Sequence, residues 1–412
     1  MAAESITLES DSTPRAKSGS VPGYAFITPW AFGSLGGVSG VVRSLVSQIA
    51  GSGRVCPLVF EHGDTGVKKI GKGDSLHFKV GLRSPFDSAR PWRSFLGFCY
   101  RLPGILWQMR GLCSRHKIQV INPHFVALEH LPFLLLKKLG WFKGRLILSF
   151  HGADIRSMLQ SRGMERWLNR ILLMGADWLV PCSEGLSEEV LMLVPERQDS
   201  VVAIQNGIDI ERFLSGADAQ FRPQPQFRGR TIILNVGAFE YKKAHDVLLK
   251  AYRLVLSHHP DTCLVIAGQR SSKATAQLAE EMGLSDHVVF LESLPHPQIV
   301  SLLEMCEVFV LSSRWEKGIC GEGMALALLE AAAVSKPVVS TRSCGVTELI
   351  TDGDTGLVVP TEDPSALATA ISDMLDHPDT ARKMAERLHD RVRRQFTWRR
   401  AADRYLELGL IQ

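Results

Sequence analysis

The chain has 412 residues, 45% of them hydrophobic and 22% charged, which suits two domains of ordinary size and excludes a fibrous or wholly disordered protein. No apolar run approaches the roughly eighteen residues that span a bilayer, and the N-terminus lacks the charged, apolar, small-residue series of a signal peptide. The net charge of +4 is small but uneven: residues 79–145 hold twelve Lys plus Arg against Asp87 and Glu129. Eight cysteines are scattered without a C-x-x-C pair, which predicts reduced thiols and a cytoplasmic setting.

Residues 1–21 are rich in Ser, Thr and Ala, show no apolar period and predict a disordered segment. YAFITP, 24–29, predicts the first strand. It runs through AFGSLGGVSG into the helical pattern VVRSLVSQIA. Gly33, Gly36, Gly37 and Gly40 make a permissive turn there, either an ordinary βα turn or a close backbone approach to a phosphate or acceptor. Further strands are predicted at 55–60, 119–124, 145–150, 178–183 and 201–206, with helices near 92–116, 125–139, 161–175 and 184–194. This alternation predicts a parallel, doubly wound sheet. RLILSFHGAD sets His151 and Asp154 just past a strand end. The 92–116 helix mixes Trp92, Phe95, Phe98, Tyr100 and Trp107 with the local basic excess, a composition suited to an anionic membrane surface. No nucleic-acid-binding module accompanies that charge.

Residues 207–230, with the Pro- and Gln-rich FRPQPQFRGR, predict a linker. Strands then recur at 231–237, 263–268, 287–293, 308–313, 337–342 and 356–360, with helices at 243–257, 273–283, 296–306, 322–334 and 364–377. A second Rossmann-like sheet therefore follows the first. Within 308–360, an apolar strand, a loop, the helix-forming GEGMALALLEAAA and two more strands make a βαβ unit whose loop lies at the carboxyl end of a strand. Glu322 and Glu330 are eight helical steps apart, so one face can carry both. A helix beginning at 322 would turn the amides of Gly323, Met324 and Ala325 outward, an end suited to phosphate. Lys243, six residues past Gly237, reads either as a solvated charge or as a phosphate ligand.

The order of these segments resembles the glycosyltransferases of family 4, retaining enzymes of the GT-B fold. Their signature loop, acid, A-x-G-x-P-V-V and G-x-x-E-x-I-x-D-G-x-x-G-x-L-V series is matched by Glu322, Gly323, Glu330, Pro337, Gly345, Glu348, Asp352, Gly353 and Gly356. The chain departs at Met324, often Phe in the family, at Ala238 and Ala244, usually Arg and Gly, and in a longer 315–321 loop. Asn206-Gly207 and Phe396, Trp398, Ala402 and Tyr405 match as well.

The resemblance implies two Rossmann-like parallel-sheet domains facing each other across a cleft: 22–206 for the acceptor and 231–393 for the nucleotide-sugar, with 394–412 crossing back as a helix. It implies catalytic roles for His151 and Glu322, each holding the donor sugar from its own wall. The base would lie near Ser293 and Leu294, the ribose on Glu330, and the pyrophosphate on Lys243 and amides 323–325. Gly36 and Gly37 would approach the donor. Arg314, Lys242 or Arg270 would stand in for the arginine absent at Ala238. Neither metal nor cofactor is expected, the nucleotide-sugar being a substrate. The function expected is retaining sugar transfer to a glycan or lipid-linked glycan in surface polysaccharide or lipopolysaccharide synthesis. It would take place in the cytoplasm, peripheral to the inner face of the membrane through 79–145, without nucleic acid. The alternatives are a catalytically silent GT-B scaffold or binding protein and a GT-B nucleotide-sugar epimerase.

Overall fold

The computed structural model describes residues 21–33, 36–63, 67–70, 75–87, 89–215, 217–218, 221, 229–315, 322–343 and 345–410. The expected disordered segment lies outside them except for Val21, as do 222–228 of the linker and 316–321 of the long loop.

Strands β1 (Gly23–Thr28), β2 (Cys56–His62), β3 (Val67–Ile70), β4 (Leu76–Val80), β5 (Ile118–Pro123), β6 (Arg145–Phe150) and β7 (Trp178–Pro181) form the first sheet, in the order β3-β4-β2-β1-β5-β6-β7. All its pairings are parallel except β3 with β4. The second sheet, wholly parallel, has β8 (Thr231–Val236), β9 (Thr262–Gly268), β10 (Val288–Glu292), β11 (Val308–Leu311), β12 (Val338–Thr341) and β13 (Leu357–Val359), in the order β10-β9-β8-β11-β12-β13. Central strands are buried and mostly apolar because helices cover both faces. Along β1, Ala25 and Ile27 join one apolar cluster while Tyr24 and Phe26 join another. The first of these clusters is continuous through both domains and includes Cys182, Ile208, Met324 and Phe396.

Strand order reverses between β1 and β5 in one sheet and between β8 and β11 in the other. Ligands of doubly wound sheets bind at the carboxyl ends of strands at such switch points. The residues that follow β1, β5, β6, β8 and β11 are therefore the ones that line the cleft.

Three expectations change. Residues 201–206 form no strand: only a bridge joins Leu179 to Val201, with amides of Val202 and Ile204 donating to the β7 edge, and the chain then leaves for the second domain. The 61–91 stretch, left without elements, holds β3 and β4. A helix, Ala153–Gln160, begins directly after His151 and precedes the expected one, Gly163–Gly175.

The chain returns to the first domain at its end. Helix Pro378–Gln395 stays on the second domain, its Arg391 donating to the Glu348 carbonyl at 2.9 Å. Helix Trp398–Gly409, capped by Thr397, then buries Trp398, Ala402, Tyr405 and Leu406 with Tyr24, Phe26, Val41 and Leu45 of the first. The two crossings touch: the Ile208 amide donates to the Phe396 carbonyl at 2.9 Å. A methyl built on Gly207 would lie 2.2 Å from the Thr397 carbonyl carbon, with no flexible side chain to yield. Gly207→Ala is expected to destabilise the protein by on the order of 2 kcal/mol and lower Tm by several degrees in a thermal melt; an unchanged Tm would mean the crossings do not constrain each other.

Candidate active site

The second domain's wall is built at its switch point. After β8, Gly237 donates its amide to Ala267 at 2.9 Å, and the tight turn Tyr241–Lys243 follows. Lys243 folds back over Gly237, where a methyl would lie 3.1 Å from its Cδ. Its Nζ is 2.6 Å from Glu322 Oε1, and Ser313 Oγ donates to the same oxygen at 3.1 Å. Ser312 Oγ donates to the Lys243 carbonyl at 2.8 Å, tying the loop after β11 to the turn after β8. Burial opposes charge on Glu322, but Lys243, and then Lys242, hold its carboxyl down to about 2.

Arg314 is not brought to this set. Its guanidinium stacks on Tyr241 at 4.2 Å, donates to the Tyr241 carbonyl at 2.7 Å and to both Asp246 oxygens, and pairs with Glu362 at 2.7 Å. It pins the 241–243 turn. Lys242 and Arg270 both pair with Glu240, at 3.6 and 2.9 Å.

The helix after β11 begins at Leu326, not at 322, and ends at Ala333. Ala325 is its extended cap, and Met324 and Ala325 are buried, so the amides of 323–325 precede the first turn. Glu322 and Glu330 therefore do not share a helical face. Glu330 lies 3.5 Å from His296 Nε2 and raises that imidazole's pKa through their hydrogen bond. Arg43, on the first domain's helix Gly37–Gly51, is near enough to oppose that rise. Ser293, exposed and left-handed at φ 53°, donates its amide to Gly268 at 2.8 Å. With half-buried Leu294 it stands at the end of β10, two strands from the switch point.

The first domain supplies the facing wall. Gly36, at φ 141°, caps helix Gly37–Gly51, and a methyl on Gly37 would lie 3.7 Å from Leu326 Cδ1 across the cleft. His151 ends β6. Asp154 fixes its backbone by accepting the amides of His151, Gly152, Ile155 and Val126, while burial lifts its pKa to about 6. Behind His151 stand His124 and Asn122, at 3.1 Å each in turn.

The two walls meet at backbone level. A methyl on Gly323 would lie 2.8 Å from the His151 carbonyl oxygen and 2.9 Å from Cys182 Sγ, and one on Gly345 would lie 2.2 Å from the Gly323 oxygen. Beside this seam Glu348 reaches across from the second domain. Its carboxylate accepts the amides of Glu184 and Gly185 at 2.7 and 3.2 Å and the side chain of Gln205 at 3.1 Å. It thus caps helix Glu184–Leu191 together with Ser183, whose hydroxyl takes the Leu186 amide. Sequence reasoning matched Glu348 to a motif but missed this partner, and missed Asn122, His124 and Arg43; the polar pair around Pro123 at the end of an apolar strand was the available signal. Among the described residues no group of three or more His, Cys, Asp or Glu is placed to hold a metal ion.

The Lys243–Glu322 pair should show itself in stability. The Glu322 pKa falls from 4.5 to about 2 on folding, so its contribution is full above pH 4.5 and is lost as pH falls through about 2. At pH 7, Lys243→Met strands a buried carboxylate and is expected to cost about 3 kcal/mol. Lys243→Met/Glu322→Gln should recover much of that. Equal melting temperatures for the single and double variants would show the two groups to be uncoupled.

Two family descriptions match the chain in tandem: Glycosyltransferase Family 4 over residues 35–212 and Glycosyl transferases group 1 over residues 217–391. A GDP-mannose-dependent alpha-(1-6)-phosphatidylinositol monomannoside mannosyltransferase of Mycolicibacterium smegmatis is 32% identical over 206 residues, covering 49% of this chain. The chain spans only 54% of that relative's length. A glycosyltransferase structure from Rickettsia africae superposes with a TM-score of 0.72 at 18% identity, over 94% of this chain and 98% of that one. The Anabaena protein HepE, solved with UDP-glucose, does so at 0.68 and 14% identity, over 93% and 98%. With both halves matched in chain order on this pair of facing sheets, the chain belongs to the group 1 glycosyltransferases of family 4 and has their GT-B fold.

Proposed function

We propose that the protein transfers a sugar with retention from a nucleotide-sugar to a lipid-linked glycan acceptor, without a metal ion. The observation that carries the donor half is the buried Lys243–Glu322 pair at the β8/β11 switch point, opposite His151. An arriving diphosphate competes for Lys243, and the exchange releases the Glu322 carboxylate to the sugar's hydroxyls. Lys243, aimed where charge grows on the departing diphosphate, lowers the barrier. Glu330 takes the ribose diol and the Ser293–Leu294 rim takes the base.

Retention through a protein nucleophile requires a free carboxylate near the anomeric carbon. Asp154 is held by backbone amides, and Glu322, once released from Lys243, is occupied by the sugar's hydroxyls, which favours reaction on one face: the anomeric C–O(phosphate) bond breaks, the acceptor oxygen bonds on the same side, and the leaving phosphate takes its proton. The M. smegmatis relative's name and the HepE complex point to GDP- and UDP-sugars as the first donors to try.

The acceptor half rests on helix Pro91–Arg115. It buries Phe98, Ile105, Met109 and Cys113, yet leaves Trp92, Leu96, Tyr100 and Trp107 exposed at helical spacing, Tyr100 at 88%. Exposed Arg93, Arg110 and Arg115 flank this stripe. Aromatic side chains with cations suit the interface of an anionic membrane. No helix among the described residues is long and apolar enough to cross one. On this reading helix Pro91–Arg115 rests on the inner face of a membrane, where the protein would act in surface polysaccharide or lipopolysaccharide synthesis.

Ala238 and the engaged Arg314 leave the diphosphate one cation short, which favours a second reading, a catalytically silent binding protein. Release of nucleoside diphosphate from a panel of UDP-, GDP- and ADP-sugars separates the two. Turnover with at least one donor is expected, with KM raised about tenfold in Glu330→Ala; no release with any donor overturns the enzyme reading. Vesicles containing anionic lipid are expected to retain the protein at low salt and to lose it when Trp92 and Trp107 are changed to Ser.

A further inference from the structure

Behind His151 lies a hydrogen-bonded series whose direction can be read from one end. Asn122 Nδ2 is 2.9 Å from the Ile147 carbonyl oxygen and 2.8 Å from Ser149 Oγ. A carbonyl only accepts, so the amide nitrogen faces it and Asn122 Oδ1 faces the other way. That oxygen accepts the Tyr24 hydroxyl at 3.2 Å and lies 3.1 Å from His124 Nε2, which must then carry a proton. A neutral imidazole has one N–H, so His124 Nδ1 is bare. It lies 3.1 Å from His151 Nε2, which must in turn be the N–H of that ring. His151 Nδ1 is left as a lone pair, and no hydrogen bond to it is present among the described residues.

Both rings are held neutral. His124 is buried and faces His151 and His130, which together keep its pKa well below the usual value, and burial brings His151 down to about 4. The rings stack with centroids 5.3 Å apart, and Phe26 lies against His124 at 5.8 Å. The series is anchored in the C-terminal helix, where the Tyr405 hydroxyl meets Ser149 Oγ at 3.0 Å.

We infer that Asn122 and His124 are positioning residues that hold His151 in its Nε2–H tautomer, so that Nδ1 accepts a hydrogen bond from a hydroxyl of the donor sugar. This rests on the donor reading above. It adds a specificity rule: the sugar must offer a hydroxyl proton to this wall, and a donor deoxygenated or O-methylated at that hydroxyl is a poor substrate.

The tautomers can be read in the ligand-free protein from long-range proton–nitrogen correlations of nitrogen-15-labelled imidazoles. At pH 7, His124 and His151 should both be neutral Nε2–H forms; an Nδ1–H form of either overturns the series whatever the activity. His124→Gln, whose amide can donate to Asn122 and accept from His151, should keep the His151 tautomer and hold kcat/KM for the donor within about threefold. His124→Phe keeps an aromatic ring against Phe26 but accepts nothing. His151 should then lose its tautomer preference and kcat/KM should fall about tenfold. Undiminished kcat/KM in that variant overturns the positioning role and leaves the glycosyltransferase reading standing. An enzyme inactive with every donor overturns that reading instead, while the wild-type tautomers still decide the series; they decide it too if His124→Phe does not fold.

Discussion

Gly323 of the second domain lies with its backbone against the His151 carbonyl of the first, and nothing wider than a hydrogen fits between them. Each sheet presents its strand ends to the other at this seam, and a side chain there would hold the walls apart. Gly345 supports the contact from behind by a still closer approach to Gly323. The seam explains why Met324 and Ala325, both good helix formers, stay outside the helix that begins at Leu326: starting the helix at 322 would swing Gly323 off the His151 carbonyl. Burial of the two side chains outweighs a propensity worth only a fraction of a kcal/mol per residue.

Glu348 holds the same seam by electrostatics. A helix N-terminus buried at an interface leaves amides without partners, each costing about 1–3 kcal/mol. Ser183 satisfies one and Glu348 two more, from the other domain. Burial pulls the Glu348 pKa up, against the amides and Gln205 that hold it down, so the clasp is strongest while the carboxylate stays ionised. The walls it joins differ in character. On one, Lys243 keeps Glu322 charged despite burial; on the other, burial keeps two histidines neutral. One wall is thus charged and the other neutral.

Much of the fold was legible because parallel strands buried on both faces read as short apolar runs, and eleven of the thirteen strands among the described residues were marked at nearly their true limits. β3 escaped because its run is broken by Lys68 and Lys69, which suit an edge strand, and β4 because His77 and Lys79 interrupt it. The 201–206 run misled for the opposite reason, being apolar enough for a strand but bonded along only one edge. In the site, Lys243 and Glu322 could be marked singly, since each follows a strand end, but their contact depends on the order of β8 and β11. Glu348 and Glu184 are 164 residues apart, and no local pattern reports such a contact. Asn122 and His124 sit at the end of a strand that also contains Pro123, where polar side chains usually signal only that the strand has ended.

Placing the last helix on the first domain closes a circuit. The chain crosses between domains after Asn206 and again before Trp398, and the two passages are bonded to each other at Ile208 and Phe396. A paired crossing limits the relative motion of the domains to a hinge about that pair, the kind of motion that closes a cleft on its ligand and excludes water. The same helix brings Tyr405 to Ser149, and so to the polar series that ends at His151. The hydrogen-bonded series behind His151 is thus completed only once the end of the chain has returned from the second domain. Neither domain completes its wall alone, because the tail that ties them together also supplies the anchor of the hydrogen bonds behind the site.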